Sequence, residues 1–586
     1  MIVLLISYSM NDQKLDNLLN LALDSTESER LRSGNLNVGY DTSSNTWEVI
    51  IKYTDNLENV RRIAEEVTEL FGGFAILRMK EDALTLLTEI PQVTYVEKPK
   101  AVYFALQNAR NASCLTRVQL GADGLTGKGV IFACVDSGVS IVHPDFQNED
   151  GTTRILYLWD QTIQGTPPEG YTRGTEYTAQ QINEALRVST EVERRSLIPS
   201  EDISGHGTSV LGIGAGNGRG SGGRFRGVAY EADLIVVKLG TPGENNFPRT
   251  TELMEGVDYC IRKAVELNRP IAVNISFGNN YGAHNGTSLL ELYLDAVSGV
   301  GKNVICVGMG NEGVTGVHRA LTFTEDAPVT AEFSVGEYQN STNLQLWKSY
   351  ADEIQIFLES PSGSTVGPIE EQLGTQRFRL QETEILIYYG EPTPYSVSQE
   401  IYMEFLPQGN YLQSGIWKIR IEPVHIVSNL ADLWLPVSET ASTRTRFLTP
   451  ATAGSFTVPA AARNVISVAA YDSLSESYAD FSGSAFNNLP WAGKPDLAAP
   501  GVDIQAPAIG GGYRSVTGTS FATPFVTGSA ALLMEWGIVR GNDLYLFGNK
   551  VKAYLRRGAR ELPGFSQMPN FRVGYGALCV EDAIPK

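Results

Sequence analysis

Residues 525–536 are a run of apolar and small side chains with no helix breaker before Gly537. A helix that is apolar on every side has to be buried, so this run predicts a core helix. The loop of residues 518–524 leads into it, and we expect Pro524 in the first turn, where its missing N–H costs little. Ser520 then lies at the helix mouth, where backbone N–H groups favour negative charge.

Ser520 has two interpretations at this position. Serine is an ordinary N-cap residue, a role that needs no partner elsewhere in the chain. As a nucleophile, a serine needs a base that takes its proton and a third group that orients the base. The catalytic interpretation therefore predicts a histidine and an acid elsewhere.

Of the five histidines, His206 has the setting expected of a base. It lies between Gly205 and Gly207, which allow other groups to approach the imidazole from both sides. His143 is close to Asp136 in sequence, which favours a turn-stabilising role. The other histidines lie in loop-like or strand contexts and are predicted to be structural: His284, His318 and His425.

Two polar residues follow apolar strands. Asp136 ends the strand of residues 130–135, and ligands bind at the carboxyl ends of strands in α/β sheets. The alternative is that Asp-Ser-Gly at 136–138 is only turn chemistry. Asn311 follows the strand of residues 303–308, and its amide is either an oxyanion donor or a residue that tolerates a left-handed turn.

The pattern along the chain predicts three kinds of architecture. Apolar strands alternate with helices between residues 130 and 308, which predicts a doubly wound parallel sheet, with residues 151–200 as an exposed polar segment. Period-two strands follow, which predict an antiparallel, jelly-roll-like β-sandwich. Parallel-sheet patterning returns at residues 464–470, so the sandwich is an insertion.

The first part of the chain predicts a small α+β unit in β-α-β-α-β order, as in a split-βαβ layer. Its strands are expected at residues 47–53, 74–79 and 93–96, and its helices at 57–71 and 81–87. The domains predicted for the whole chain are 1–107, the two parts of the parallel-sheet domain at 108–319 and 455–586, and the sandwich 320–454.

Composition excludes several partners. Acidic residues outnumber basic ones by 66 to 46, and a net charge of −20 disfavours nucleic acid and anionic membranes. The N-terminus reads as a strand or helix start and lacks the pattern of a signal peptide, and no apolar run reaches the roughly 18 residues that span a bilayer. The five scattered cysteines predict buried free thiols and a reducing compartment: Cys114, Cys134, Cys260, Cys306 and Cys579.

The candidate residues occur in the order Asp136, His206, Ser520. Their surroundings resemble the three catalytic motifs and the oxyanion loop of the subtilase family: Val135-Asp136-Ser137-Gly138, Gly205-His206-Gly207-Thr208, Gly518-Thr519-Ser520-Phe521-Ala522-Thr523-Pro524 and Gly310-Asn311-Glu312-Gly313. The N-terminal unit, the placement of the sandwich and the absent signal peptide also resemble the Csp-type spore-germination proteases within that family.

This resemblance implies a subtilisin-like serine endopeptidase. Ser520 attacks the scissile carbonyl while His206 takes its proton. Asp136 orients the imidazole, and Asn311 holds the oxyanion together with a backbone N–H near Ser520. Some Csp relatives have lost catalytic residues, so the alternative is a catalytically silent binding or regulatory protein on the same scaffold.

The resemblance also implies a substrate-binding set: Asn274, Ser276, Phe277, Gly278, Gly308 and Glu312. Residues 274–278 would pair with an extended peptide by strand addition. Glu312 would either line the pocket for the residue before the scissile bond or be solvated at the surface. Residues 1–107 would be a propeptide that is self-cleaved between Gln107 and Asn108, with residues 104–107 extended in the cleft and Phe104 in an apolar subsite.

The expected partners are a protein or peptide substrate, in germination the precursor of a cortex hydrolase, and the chain's own retained propeptide. Cytoplasmic synthesis is expected from the absent signal peptide, and spore association from the same resemblance. No cofactor and no metal ligand are assigned. Family calcium sites use backbone carbonyls and scattered acids, so calcium dependence stays open.

Overall fold

The computed structural model describes residues 14–32, 36, 38–70, 72–99, 105–120, 124–241, 248–324, 327–372, 374–437, 444–487 and 493–585. The chain divides into two compact units, Met1–Tyr103 and Phe104–Lys586. This boundary is close to the predicted end of the N-terminal unit at residue 107. The strand or helix start expected at the N-terminus lies outside the described residues.

The N-terminal unit is an antiparallel sheet with short helices. Four strands have the spatial order 4-1-3-2 of a split-βαβ layer: Val93–Glu97, Thr46–Tyr53, Phe74–Lys80 and Glu66–Leu70. Tyr40–Asp41 also pairs with Thr46–Tyr53. The helices are Asn17–Asp24, Glu27–Arg32, Glu58–Arg61 and Leu84–Glu89, the last preceded by the 3₁₀ turn Glu81–Ala83.

The helix predicted at residues 57–71 is wrong for most of its length. Glu58–Arg61 forms one helical turn, and Glu66–Leu70 is a strand paired with Phe74–Lys80. Gly72 and Gly73, with φ of 78° and 74°, reverse the chain between the two strands. Hairpin pairing thus overrides the helical spacing of the apolar residues.

The second unit contains a nine-stranded, mainly parallel sheet, as predicted. The spatial order of eight strands is Ser477–Tyr478, Ile466–Asp472, Asn303–Gly308, Ile271–Ile275, Ile131–Asp136, Asp233–Lys238, Ile155–Asp160 and Thr175–Thr178. Leu497–Pro500 also pairs with Ile466–Asp472. The two short strands Ser477–Tyr478 and Thr175–Thr178 are the antiparallel edges.

Helices cover both faces of this sheet, and a separate apolar core lies on each face. The helices are Ala105–Ala112, Leu115–Leu120, Ala179–Arg187, Glu191–Leu197, His206–Ala215, Thr250–Glu266, Leu289–Val297, Thr519–Met534, Asn549–Arg557 and Val580–Ala583. Short turns of 3₁₀ helix occur at Pro144–Phe146 and Arg219–Ser221, a π-helical turn at Glu535–Val539, and a separate hairpin joins Ile504–Pro507 to Tyr513–Val516.

The expectation of an exposed segment at residues 151–200 is wrong at its start. Ile155–Asp160 is a strand of the central sheet, parallel to Asp233–Lys238. Trp159 is fully buried there, and its indole N–H donates to the carbonyl of Arg173 at 3.1 Å. Because this hydrogen bond satisfies the polar end of the ring, the large side chain can be buried.

The sandwich is an insertion between the two parts of this unit, as predicted, and is built of two antiparallel sheets. The first has the order His318–Thr322, Leu430–Trp434, Thr342–Ser349, Ser398–Pro407, Thr383–Tyr389 and Thr375–Leu380. The second has the order Thr365–Ile369, Glu353–Glu359, Gly415–His425, Val329–Val335 and Arg446–Phe447. One apolar core fills the space between them.

The cysteine prediction is wrong for one pair. Cys114 and Cys579 form a disulfide with a Cα–Cα distance of 4.9 Å, although 465 residues separate them in sequence. Cys134, Cys260 and Cys306 are buried free thiols, as predicted. Sequence spacing carries no signal for a bridge between the two ends of a domain, which only folding brings together.

Candidate active site

The site is built where the sheet changes direction. Chain order along the sheet reverses between the neighbouring strands Ile131–Asp136 and Ile271–Ile275, and such a switch point opens a crevice at the carboxyl ends of the strands. Ile275 pairs with Val135 on one side and with Val307 on the other. The residues that follow these three strands therefore meet at one edge of the sheet.

Ser520 is the second residue of the helix Thr519–Met534 and the only one of that helix that is partly exposed rather than buried. Burial of side chains such as Phe525 and Leu533 contributes about 1.5–3 kcal/mol each. Together with the following turn, residues 519–539 are long and apolar enough to cross a membrane, but 89 % of the most apolar window is buried inside the protein. The apolar composition is that of a core helix, as the sequence predicts.

The expectation that Pro524 lies in the first turn is wrong, because the helix begins at Thr519 and Pro524 lies inside it. A proline at this position cannot donate to the carbonyl four residues earlier, which is that of Ser520. The hydroxyl of Ser276 donates to this carbonyl at 3.1 Å instead. The proline thus lets the strand Ile271–Ile275, through the residue after it, hold the start of the helix.

His206 and Asp136 form a close pair. Nδ1 of His206 lies 2.7 Å from Oδ1 of Asp136, which also accepts the N–H of Ser137 at 2.7 Å. Asp136 is fully buried, whereas 28 % of the His206 side chain is exposed. Since Nδ1 is held by the carboxylate, Nε2 is the nitrogen that is able to exchange protons with a substrate.

Glycines allow this approach, as the sequence suggests. A Cβ on Gly207 would lie 2.3 Å from the carbonyl oxygen of Gly138 and 3.2 Å from Cβ of Asp136. Gly205 precedes the helix His206–Ala215 with φ of 71°, a left-handed conformation that a side chain disfavours. The histidine helix can therefore start directly against the aspartate strand.

Asp202 supports this helix and was not singled out from the sequence. Its Oδ1 accepts Ser137 Oγ at 2.8 Å and Gly205 N–H at 2.9 Å, and its Oδ2 accepts Thr208 N–H at 2.8 Å. A negative group at a helix N-terminus is favourable, and it fixes the loop before His206. The spacing of Asp202 from Ser204 and Thr208 is the sequence signal that could have identified it.

Asn311 presents its amide to the site. Its Oδ1 accepts the N–H of Thr519 at 3.0 Å and the hydroxyl of Thr519 at 3.1 Å, so Nδ2 is the donor end of the side chain. The left-handed residue of this turn is Gly310, with φ of 83°, and not Asn311. The alternative in which Asn311 only tolerates a left-handed turn is therefore wrong.

These groups surround one cavity of about 350 Å³. Its lining includes His206, Ser520, Asn311, Ser276, Phe277, Gly278, Gly308 and Glu312. Glu312 is 5 % exposed and accepts the hydroxyl of Thr315, so the alternative of surface solvation is wrong. The hydroxyl of Ser520, the imidazole of His206 and the amide of Asn311 thus face the same space, which is an arrangement suited to acyl transfer.

Asn274 is the one predicted substrate residue that the structure places elsewhere. It is fully buried beneath the cavity, where its Nδ2 donates to Ser276 Oγ at 3.0 Å and its Oδ1 accepts Thr527 Oγ at 2.9 Å. Ser276 Oγ in turn donates to the Ser520 carbonyl. Asn274 therefore supports the serine helix through Ser276 and does not contact a peptide directly.

The predicted processing site falls partly outside the described residues. Phe104 is not described, nor are the side chains of Gln107 and Asn108. The backbone from Ala105 to Ala112 is helical, so the expectation of an extended segment is wrong for its last three residues. Cleavage between Gln107 and Asn108 stays a prediction.

The other histidines have structural settings. His143 Nδ1 accepts the N–H of Asp145 at 3.2 Å and caps a 3₁₀ turn, as predicted. The rings of His284 and His318 both stack on the ring of Trp434, with ring centroids 3.6 and 3.9 Å from it. His425 ends the strand Gly415–His425. No cluster of three or more His, Cys, Asp or Glu side chains suited to a metal occurs in the described part of the chain.

Two family models match the chain. Residues 13–100 match the Csp protease B prodomain, and residues 127–379 and 446–576 match the subtilase family. The part of the chain between the two subtilase segments lies within the inserted sandwich.

Individual proteins are similar over parts of the chain. Serine protease AprX of Bacillus subtilis is 30 % identical over 236 residues, 39 % of this chain and 43 % of AprX. Minor extracellular protease Vpr of the same organism is 23 % identical over 518 residues, 81 % of this chain and 56 % of Vpr. The chain thus spans about half the length of these relatives.

One solved structure is similar along most of its length. The CspB protease of Clostridium perfringens superposes with a TM-score of 0.75 at 33 % sequence identity, covering 81 % of this chain and 96 % of that one.

Proposed function

The chain belongs to the subtilase family of serine endopeptidases, and we propose that it is an active member whose catalytic triad is Asp136, His206 and Ser520. The observation that carries the proposal is the 2.7 Å pair between His206 and buried Asp136, which opens onto the same cavity as Ser520 and Asn311. A serine in this cavity has the base, the orienting acid and the oxyanion donor that its activation requires.

In the proposed reaction, the Ser520 hydroxyl attacks the scissile carbonyl carbon while Nε2 of His206 takes its proton. Asp136 stabilises the imidazolium that forms. The carbonyl oxygen becomes an oxyanion that accepts hydrogen bonds from Asn311 Nδ2 and from the first turn of the serine helix. His206 then protonates the leaving amine, and a water molecule releases the acyl group by the same steps.

Substrate binding is proposed along Ser276, Phe277 and Gly278, which continue the strand Ile271–Ile275 into the cavity. An extended peptide can pair with such an edge by main-chain hydrogen bonds. Glu312 would receive the side chain of the residue before the scissile bond. A buried carboxylate favours a partner with N–H or cationic groups over an acidic one.

Self-processing between Gln107 and Asn108 is proposed from the match of residues 13–100 to the Csp protease B prodomain and from the unit boundary at Tyr103. A protease edge binds extended chain, so cleavage would precede formation of the helix Ala105–Ala112. The released propeptide would stay associated with the enzyme.

The similarity to the Clostridium perfringens CspB protease supports a proposed role in spore germination, by cleavage of a cortex-hydrolase precursor. Synthesis in the cytoplasm and association with the spore belong to the same proposal. The competing function is a silent subtilase scaffold, and it is disfavoured because Ser520, His206 and Asn311 line one cavity and Asp136 contacts His206 from behind it.

Purified wild type and Ser520→Ala protein distinguish these functions when incubated with denatured casein and analysed by N-terminal sequencing. We expect wild type to degrade casein and to begin near Asn108, and the variant to do neither. Wild type that begins at Met1 and leaves casein intact would contradict the proposal.

A further inference from the structure

A second cavity of about 350 Å³ adjoins the catalytic one. The two cavities share Phe277, Gly278 and Val437. Most of the remaining lining of the second cavity is apolar, including Leu239, Pro248, Leu253, Leu290, Val458 and Pro459. Phe277 and Gly278 belong to the proposed peptide-binding edge, whereas Val437 belongs to the inserted sandwich.

The segment that carries Val437 is fixed to the catalytic domain. Trp434, three residues earlier, stacks on His284 with ring centroids 3.6 Å apart and planes at 4°. Leu435 is held from both sides, because its N–H donates to Val317 O at 2.9 Å and its carbonyl accepts Asn280 Nδ2 at 3.1 Å. Val437 therefore enters the cleft from an anchored backbone only two residues away.

The sandwich also holds a second wall of this cavity. Asn343 Nδ2 donates to the hydroxyl of Tyr281, a lining residue, at 3.2 Å. Gln345 bonds both neighbours of Tyr281: it donates to Asn280 O at 3.2 Å and accepts Gly282 N–H at 3.2 Å. One sheet of the insertion thus holds the loop that follows the peptide-binding edge by three hydrogen bonds.

We propose that Val437 is a specificity-determining residue, through which the inserted sandwich selects an apolar substrate side chain on the acyl side of the scissile bond. This inference rests on the proposed peptidase function. The selected side chain belongs to a substrate residue that lies N-terminal to the substrate residue in the catalytic cavity. It packs against Val437 where the two cavities meet. Each methylene in such a pocket changes relative kcat/KM by about 10-fold or more.

The test uses fluorogenic peptides in which each position before the scissile residue is changed in turn among Ala, Leu and Phe. We expect wild type to prefer Leu or Phe to Ala at least tenfold at one of these positions. The larger side chain of Val437→Phe fills the space where the two cavities meet. We expect this variant to lower kcat/KM for the Leu and Phe peptides at least tenfold and to change kcat/KM for the Ala peptide less than threefold. Val437→Thr, which keeps the volume but adds a hydroxyl, lowers the preference in the same direction.

Val424→Phe is the matched control, since Val424 is also on the sandwich but 60 % exposed and outside both cavities. We expect Val424→Phe to have the same kcat/KM as wild type for every peptide. If Val437→Phe does not fold, the Val437→Thr result decides. The inference would be overturned if wild type cleaves the peptides and Val437→Phe changes kcat/KM equally for all of them or for none of them. A wild type that cleaves no peptide and does not react with a fluorophosphonate would instead overturn the proposed function.

Discussion

Two histidine–carboxylate pairs in this molecule have nearly the same geometry and different surroundings. His206 lies 2.7 Å from Asp136 in the catalytic domain, and His318 lies 2.8 Å from Asp432 in the sandwich. The second nitrogen of His318 faces the carbonyl of Ala453 at 2.9 Å, and its ring stacks on Trp434. His318 is 2 % exposed, whereas the His206 ring lines a cavity beside Ser520.

This difference shows what a histidine–carboxylate pair needs before it can catalyse a reaction. Both nitrogens of His318 have partners in the protein, so the pair fastens the sandwich to the chain that returns to the catalytic domain. His206 uses one nitrogen for orientation and presents its ring to a space that also holds a nucleophile and an oxyanion donor. The environment of the second nitrogen, not the histidine–carboxylate contact, separates the two roles.

Replacing the carboxylate of each pair by an amide gives the largest expected difference between the two pairs. We expect Asp136→Asn to lower kcat about 10⁴-fold, because the amide favours the wrong imidazole tautomer. Asp432→Asn is the matched change, and it should leave kcat within about threefold while reducing the free energy of unfolding by about 1.5–3 kcal/mol. Steady-state kinetics and urea unfolding measure both. A large loss of kcat in Asp432→Asn would remove the distinction between the pairs.

Loss of the ring between His284 and His318 is expected to lower the stability of the protein. Trp434→Ala removes a 1 % exposed side chain, so we expect the free energy of unfolding to fall by about 3–5 kcal/mol. Trp347→Ala, a partly exposed tryptophan of the same sheet, should cost less. The two variants are compared by their midpoints of thermal unfolding. An equal shift in both would show that Trp434 contributes no more to stability than Trp347.

Loss of the oxyanion donor should act mainly on rate, and it also removes the acceptor of the Thr519 N–H. Asn311→Ala removes the amide that faces the cavity, and we expect kcat to fall about 10²–10³-fold with little change in KM. Asn285→Ala, at the sandwich contact, is the control and should keep full activity. If KM rises and kcat stays constant in Asn311→Ala, the amide binds substrate and not the transition state.

His284 should make the sandwich contact sensitive to acid. Burial, aided by nearby His318, lowers the pKa of His284 to about 3. The unfolded chain takes up this proton below its ordinary pKa of about 6.5 and the folded chain does not, so stability falls as pH drops from 6.5 toward 3 and is unaffected above 6.5. The loss is about 2 kcal/mol between pH 6.5 and 5.

The variant His284→Asn tests this sign, since Asn tolerates the positive φ of 49° at this position. Urea unfolding from pH 5 to pH 7.5 should show a shallower dependence on pH in the variant than in wild type. Parallel curves would assign the acid sensitivity to other groups.

Local sequence signals predict the parts of the site that lie beside element boundaries. Asp136, His206 and Ser520 each follow or begin an element in a short motif, so spacing and residue type were sufficient to nominate them. The order of apolar strands likewise predicts the parallel sheet and the inserted sandwich.

Other features depend on contacts that local sequence does not encode. The disulfide between Cys114 and Cys579 joins the ends of a domain, and Asn274 is buried because it packs against and bonds Thr527 of the serine helix. Val437 enters the cleft because Trp434 and Leu435 are held by residues far away in sequence. Helix spacing also failed at Glu66–Leu70, where pairing across a glycine turn decides the structure.

The most direct test of the central claim is labelling of purified protein with a fluorescent fluorophosphonate, which reacts only with an activated serine. We expect wild type and Asp432→Asn to be labelled, Asp136→Asn to be labelled far more slowly, and Ser520→Ala not at all. Labelling that persists in Ser520→Ala, or a folded wild type that is neither labelled nor processed, would contradict the assignment of Ser520 as the nucleophile.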